Sequence, residues 1–186
     1  MEKNAKIVLG LAVIIVVAVL VYYFLLAQPV SFDQEYLQMQ GAWKGNGITD
    51  ERLHASPAVF SLSKADIGKI KADIVSFKKT AKNQATAELA DIYILLLEDA
   101  DAALQVKEAS GLQTPSCQNL GALSALEAEL KSAESKKAAY LDAVNSFVIK
   151  YPEEAESISL FAVEKDYAGE TAGPLLAAIS AMKEVC

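Results

Sequence analysis

Residues 120–150 read LGALSALEAELKSAESKKAAYLDAVNSFVIK, and no proline interrupts them. Apolar or long side chains recur every three or four positions along one stripe, which predicts a single amphipathic helix over this range. The stripe consists of Leu123, Leu126, Leu130, Ala133, Lys137, Tyr140, Leu141, Val144 and Val148. The pair Tyr151-Pro152 ends it, because the residue before a proline disfavours the helical conformation.

Upstream, residues 63–110 show the same periodicity and also lack proline. Ser63, followed three positions later by Asp66, predicts a helix cap at the start of this segment. The polar interval from Lys79 to Gln84 has the composition of a tight turn, so we favour two antiparallel helices. A continuous helix of about 70 Å is the alternative, since the period runs through the interval.

Downstream, Pro152 and the acidic residues after it predict a new helix, because proline and negative charge both suit a first helical turn. Glycines 169 and 173 and Pro174 predict a break at 168–174. A last helix is expected over 175–185.

Two cysteines provide a long-range constraint. Cys117 precedes the long helix and Cys186 is at the end of the chain. The helix 120–150 leads away from Cys117, and the return arm from Pro152 has a similar length. The two residues are therefore expected side by side, as the Cα separation of a disulfide requires. We predict an intramolecular disulfide, with free or intermolecular thiols as the alternative.

The N-terminal region contains an uncharged apolar run, residues 7–27. At about 1.5 Å per helical residue it is long enough to cross a hydrocarbon core of about 30 Å, so we predict a transmembrane anchor. The expected membrane-interface residues are Lys3 and Lys6 at one end and Tyr22, Tyr23 and Phe24 at the other. The positive-inside bias places the N-terminus in the cytoplasm and the bulk of the chain outside the plasma membrane.

Two other kinds of segment share features with this run: a cleaved signal peptide and a pilin-like stem. A cleaved signal peptide also begins with basic residues, but its apolar region is shorter and ends in small residues. A pilin-like stem needs a processing site after basic residues, which the order Ala5-Lys6-Ile7 matches poorly.

Residues 28–62 contain prolines 29 and 57 and three closely spaced glycines, which predicts a stalk or linker. Ser31 and Gln34 have capping-box spacing, so one short helix is expected, with Phe32, Tyr36 and Met39 on one face near the membrane. We interpret Trp43 and His54 as an interfacial tryptophan and a solvated linker histidine. An exposed recognition element is the alternative.

Composition excludes several functions. The chain has 17 Lys and Arg against 24 Asp and Glu, a net charge of −7, without a long basic cluster, which argues against nucleic acid as a partner. One histidine and two widely spaced cysteines exclude the usual haem, zinc and di-iron motifs. There is no glycine-rich nucleotide loop. We therefore expect no catalytic residues, no cofactor and no metal site.

One acidic group remains on the segment 63–110: Asp91, Glu98, Asp99 and Asp101. We interpret it as a solvated helix face, with Ca²⁺ or Mg²⁺ binding as the weaker alternative, because helical carboxylates lack the wrapping loop that these ions prefer.

The sequence thus predicts an all-α protein: a cytoplasmic tip (1–6), a transmembrane helix (7–27), a stalk (28–62) and an extracytoplasmic bundle of about four to five helices (63–186). The expected function is a protein-interaction or scaffolding module at a prokaryotic cell surface, bound to the lipid bilayer through 7–27. A ligand-sensing or solute-binding domain is the first alternative, and a filament or surface-layer subunit is the second.

Overall fold

The structure of the chain is a computed structural model that describes residues 14–22, 30–50, 53, 62–110, 117–158 and 167–186. All regular secondary structure in these ranges is helical, which confirms the all-α class. The chain divides into two compact units, Met1–Ser31 and Phe32–Cys186.

In the first unit, residues 14–22 are helical and all their side chains are exposed, with Tyr22 at 66%. They are the middle of the predicted anchor. Among the helices in the described ranges, none combines the length and the apolar character that crossing a membrane requires. The other anchor and interface residues, including Lys3, Lys6, Tyr23 and Phe24, lie outside the described residues.

The described part of the second unit is a helical bundle. Its elements are α1 (Phe32–Lys44), α2 (Lys64–Lys78), α3 (Gln84–Ser110), a 3-10 turn (Cys117–Asn119), α4 (Leu120–Lys150), α5 (Pro152–Ser157) and α6 (Tyr167–Val185). The long helix α4 has the predicted bounds, and α5 starts at the predicted Pro152.

Helices α2 and α3 form the expected hairpin, so the continuous-helix alternative is wrong. Ser63 caps α2 in a reciprocal capping box with Asp66, as the spacing predicted. The chain turns after Lys78, where the Thr80 hydroxyl donates to the Phe77 carbonyl oxygen at 2.9 Å. Cross-helix ion pairs run in opposite order along the two helices, which shows that they are antiparallel. These pairs are Lys64–Glu108, Lys71–Glu98 and Lys78–Asp91.

Helix α3 lies at the centre of the main apolar core. Leu89, Tyr93 and Leu97 are almost completely buried, and α1, α2 and α4 all pack against this helix. Burial of one large apolar side chain stabilises a fold by about 1.5–3 kcal/mol. The packing of α1, α2 and α4 on α3 is therefore the main source of the stability of the bundle.

Part of the segment expected to be a stalk belongs to this core. Helix α1 exists as anticipated, but Phe32, Met39 and Trp43 are buried among the core residues, as are Ile48 and Leu53. The compact unit accordingly begins at Phe32, and the boundary expected at residue 63 does not describe it. The prolines and clustered glycines of 28–62 indicated a linker, and the burial of this short helix in the core depends on tertiary packing.

Both sequence interpretations of Trp43 are wrong, because this residue is neither exposed nor interfacial. Its ring lies 4.9 Å from that of Tyr93, centroid to centroid. Its indole Nε1 donates to Asp50 Oδ1 at 2.7 Å, so the one polar group of this buried side chain has a hydrogen-bond partner. His54 lies outside the described residues.

A buried carboxylate connects α1 by hydrogen bonds to the turn between α2 and α3. Glu35 is only 3% exposed, and its two oxygens accept the backbone N–H groups of Lys82 at 2.7 Å and Asn83 at 3.0 Å. Asn83 in turn caps α3, since its side chain accepts the Thr86 N–H at 3.2 Å. One side chain therefore supports both the position of α1 and the start of α3.

Helix α6 packs on α4 through a second, smaller apolar cluster. Leu123, Leu126 and Leu130 of α4 meet Ile179 of α6. The expected break at 168–174 is wrong, because α6 continues through it. A helix can accommodate a proline by giving up one backbone hydrogen bond and bending locally.

The two cysteines meet at the end of this second cluster. Their Cα atoms are 5.4 Å apart and the sulfurs are within bonding distance, which fits the predicted disulfide. Closing a separation of 69 residues is worth about 4 kcal/mol in the chain-entropy model. Burial of Ile179 and partial burial of its neighbours contributes a similar amount, about 3–6 kcal/mol. The disulfide and the apolar contacts of α6 therefore contribute similar free energies to its attachment.

We predict that Glu35→Gln lowers the free energy of unfolding by about 1.5–3 kcal/mol, because the amide presents its own N–H₂ to one of the two backbone donors. Urea unfolding followed by circular dichroism measures this. Asp73→Asn, the same change on an exposed position of α2, should cost less than about 0.5 kcal/mol. Equal losses in the two variants would contradict the fastening role of Glu35.

Candidate functional site

A charged groove lies between α2 and α3 and is bordered by α4. It is open to solvent on one side and has a volume of about 280 Å³. Helix α2 contributes Lys64, Ile67, Gly68 and Lys71, α3 contributes Leu97, Glu98 and Asp101, and α4 contributes Lys136. The site thus depends on the hairpin and on the crossing of α4 over it.

The floor of this groove is apolar and rigid. Ile67 and Leu97 belong to the main core and are 3% and 0% exposed. Gly68 lies beside them, and a Cβ atom there would meet nothing within 4 Å. A glycine in the middle of a helix costs about 1 kcal/mol relative to alanine. At this position the missing side chain leaves the groove open along α2.

Both walls of the groove are charged, and ion pairs link α2 to α3. Lys71 Nζ lies 2.5 Å from Glu98 Oε1, and both side chains are about one third exposed. Lys64 Nζ lies 2.6 Å from Glu108 Oε2 at the end of the hairpin. Asp101 accepts a hydrogen bond from Gln105 Nε2 at 3.0 Å. Exposed pairs of this kind are worth about 0–1 kcal/mol, so a competing charge can displace them.

Lys136 differs from the other two groove lysines. No carboxylate among the described residues forms an ion pair with it. It lies close enough to Asp99 to lower the pKa of that carboxyl, although Lys137 has the larger lowering effect. The groove therefore presents an ammonium group that is not engaged in a described ion pair.

Asp99 is a residue of α3 that lies near Lys137 and Lys136 of α4. Burial raises its pKa to about 6, against the opposing effect of Lys137 and Lys136. Its Oδ1 atom is buried and has no hydrogen-bond partner among the described residues. Burial, together with the charge of Asp99, raises the pKa of Tyr140 to about 12. A polar group is thus held inside an otherwise apolar helix contact, at a cost in stability.

The size and lining of the groove indicate what it can accommodate. Small-molecule sites usually enclose about 300–1,000 Å³ and are mainly apolar, whereas this groove is smaller, open and lined by five charged side chains. A charged side chain of a protein partner fits such a surface. The part of the chain that the structure describes contains no group of three or more His, Cys, Asp or Glu residues that could hold a metal ion.

A second recess lies at the end of α1. It is lined by Lys44, Gly47, Ile48, Thr49 and Asp50, has a volume of about 470 Å³ and is more open than the groove. Lys44 and Asp50 form an ion pair at 2.8 Å, and Asp50 also accepts the Trp43 indole N–H. This pair supports the core, and the recess is a shallow depression around it.

The acidic group of α3 does not form one solvated face. Asp91 pairs with Lys78 at 2.5 Å, and Glu98 pairs with Lys71. Asp101 lines the groove. Asp99 turns into the contact with α4, so the solvated-face interpretation is wrong for this residue.

Sequence reasoning missed the groove itself. Its one signal is Gly68, an isolated glycine within a helical pattern, where glycine costs about 1 kcal/mol relative to alanine. The sequence contains no comparable signal for Lys136, because its place in the groove depends on how α4 crosses the hairpin. Lys64 and Lys71 show helical spacing, but so do other exposed lysines.

We predict that Asp99→Asn stabilises the protein at pH 8 and has little effect near pH 4. A carboxyl whose pKa is raised from 3.8 to about 6 binds its proton more tightly in the folded state. Its unfavourable contribution therefore appears as pH rises through about 4 to 6 and persists above. Since the side chain keeps some solvent contact, the expected gain at pH 8 is about 1–2 kcal/mol.

Urea unfolding of the wild type and the variant at both pH values measures this difference, and carboxyl NMR titration reports the midpoint directly. A stability difference that is the same at pH 4 and pH 8 would show that Asp99 is not a buried titrating group.

Comparison with known proteins identifies no relative from which a role for the groove can be transferred. No family model, curated protein or solved structure matches the chain.

Proposed function

We propose that Phe32–Cys186 is a protein-interaction module, tethered to the outer face of a prokaryotic plasma membrane by residues 7–27. Its binding surface is the charged groove of α2, α3 and α4, and its partner is a protein segment that carries a carboxylate side chain. The module binds and does not catalyse.

The proposed tether is supported by the sequence. Residues 7–27 are uncharged and follow two lysines, after which the next basic residue is Lys44. This asymmetry favours an N-terminus in the cytoplasm and a module outside. In that compartment a disulfide between Cys117 and Cys186 can form by oxidation of the two thiols.

The observation that carries the proposed binding is the combination of a rigid apolar floor with weakly held charges above it. Ile67 and Leu97 fix the position of the walls. Lys136 offers a donor for an incoming carboxylate. Glu98 and Asp101 can receive a neighbouring basic group of the partner once Lys71 is released. Replacing an exposed ion pair by an equivalent one with the partner costs little, and desolvation on binding strengthens the new pair.

A small charged solute is the alternative occupant, because the groove volume of about 280 Å³ is close to the lower limit for ligand sites. The two possibilities differ in a thermal-shift experiment. A solute that binds the folded state raises the melting temperature by mass action, whereas a groove that recognises a protein surface does not respond to isolated solutes.

We predict that a photo-crosslinking amino acid in place of Gly68 captures a protein partner in native membranes. The same replacement of Gly121 provides a matched control, since both glycines are helical and exposed and a Cβ at either meets nothing within 4 Å. A band specific to position 68 is expected, identified by mass spectrometry. Lys136→Glu in the position-68 variant should remove it, because the partner carboxylate would then meet a like charge.

Equal crosslinking from positions 68 and 121, or a band that persists with Lys136→Glu, would contradict the groove as the binding surface. Intact folding of each variant is checked by circular dichroism, so that loss of crosslinking is not confused with unfolding.

We predict that alkaline phosphatase fused after Cys186 is active in bacteria, because this enzyme needs its own disulfides and folds only outside the cytoplasm. Removal of residues 7–27 should abolish that activity and release the chain from the membrane fraction. An inactive phosphatase fusion together with a fluorescent cytoplasmic reporter at the same position would place the module inside the cell and refute the proposed orientation.

A further inference from the structure

Helix α6 is attached to the bundle by few contacts. Of its described side chains, only Ile179 is buried, while Leu175, Leu176 and Met182 are partly buried against α4. One ion pair adds to this contact, between Lys183 and Glu127. Glu127 also binds Lys131 at 2.6 Å, and hydrogen bonds from Lys131 and Lys183 lower its pKa to about 2.

The cluster under α6 is separate from the main core. None of its buried residues belongs to the cluster around α3, and its buried members on α4 are Leu123, Leu126 and Leu130. The main core draws instead on the other half of α4, through Tyr140, Val144 and Phe147. On α3, the partly buried Val106 also packs against this cluster. Loss of α6 would therefore expose Val106, while the buried residues of the main core keep their packing.

The disulfide that attaches α6 to the start of α4 is accessible to reagents. Cys117 and Cys186 are both exposed, and they are the residues at which the 3-10 turn begins and the chain ends. An attacking thiolate can reach an exposed disulfide, whereas structural disulfides buried in a core resist exchange.

We propose that the Cys117–Cys186 disulfide is a redox-sensitive latch, and that its reduction releases α6 from α4 while the core around α3 stays folded. The reductant is a dithiol. One of its thiolates attacks a protein sulfur and forms a mixed disulfide, and its second thiol resolves this intermediate. The protein disulfide gains two electrons and two protons and becomes two thiols, while the dithiol is oxidised to a disulfide.

Opening the latch changes the surface of the module. It exposes the stripe of Leu123, Leu126 and Leu130 and frees Glu127 from Lys183. The charged groove of α2, α3 and α4 is lined by none of the residues in the cluster under α6, so release of α6 leaves its lining unchanged. The redox latch and the proposed partner binding can therefore be tested, and refuted, separately.

Hydrogen exchange of the full chain in detergent micelles, with and without dithiothreitol, tests this proposal. Reduction should raise the exchange rates of amides in 175–185 by about tenfold or more, because the disulfide restricts the conformational entropy of the locally opened α6 and reduction removes that restriction. Amides of α3 between Leu89 and Leu97 should change by less than about twofold, since these residues open only with the whole domain.

The double variant Cys117→Ser with Cys186→Ser is the matched control. It should show the fast α6 exchange without any reductant and no further change when dithiothreitol is added. Slow exchange in α6 after complete reduction, verified by mass, would show that the disulfide is not the latch. A parallel increase in α3 would show that it stabilises the whole domain, which also overturns the proposal.

Discussion

Burial of helix α3 is the constraint on which the other helices depend. Leu89, Tyr93 and Leu97 keep almost no exposed surface, and α1, α2 and α4 each cover a part of the helix. With about 1.5–3 kcal/mol per large side chain, removal of any covering helix would cost a large share of the stability of a domain. The ion pairs along α2 and α3 match the antiparallel order that the short turn between these helices imposes, but as exposed pairs they add little energy.

Helix α4 joins two apolar clusters of unequal size. One half of its buried stripe packs on the core around α3, and the other half meets α6. Cooperative unfolding is expected where residues share one core, and local opening where a small cluster is separate. The disulfide lies at the end of the smaller cluster. The proposed latch therefore acts on the helix that the smaller cluster holds against α4.

Charge has different consequences inside and outside the helix contacts. The groove lysines and carboxylates remain partly in water, where their pairs form and break at little cost. Glu35 is buried, but its oxygens accept two backbone N–H groups, and this compensates its loss of hydration. Asp99 is also largely removed from water and has an oxygen without such a partner. Its raised pKa reflects this difference.

The sequence by itself determined the helical class, the bounds of α4, the cap at Ser63, the new helix at Pro152 and the pairing of two cysteines that the structure brings together. The helices follow from periodicity and capping chemistry, which are local properties of the sequence. The cysteine pairing follows from the similar lengths of the two arms between the cysteines. Only the tertiary structure decided that α1 and Trp43 belong to the core, that α6 continues through its glycines and proline, and that Lys136 reaches a groove made by two other helices. Each of these outcomes depends on contacts between residues that are far apart in sequence. Such contacts override local helix propensity, because burial of an apolar side chain contributes more free energy than the propensity of a single residue.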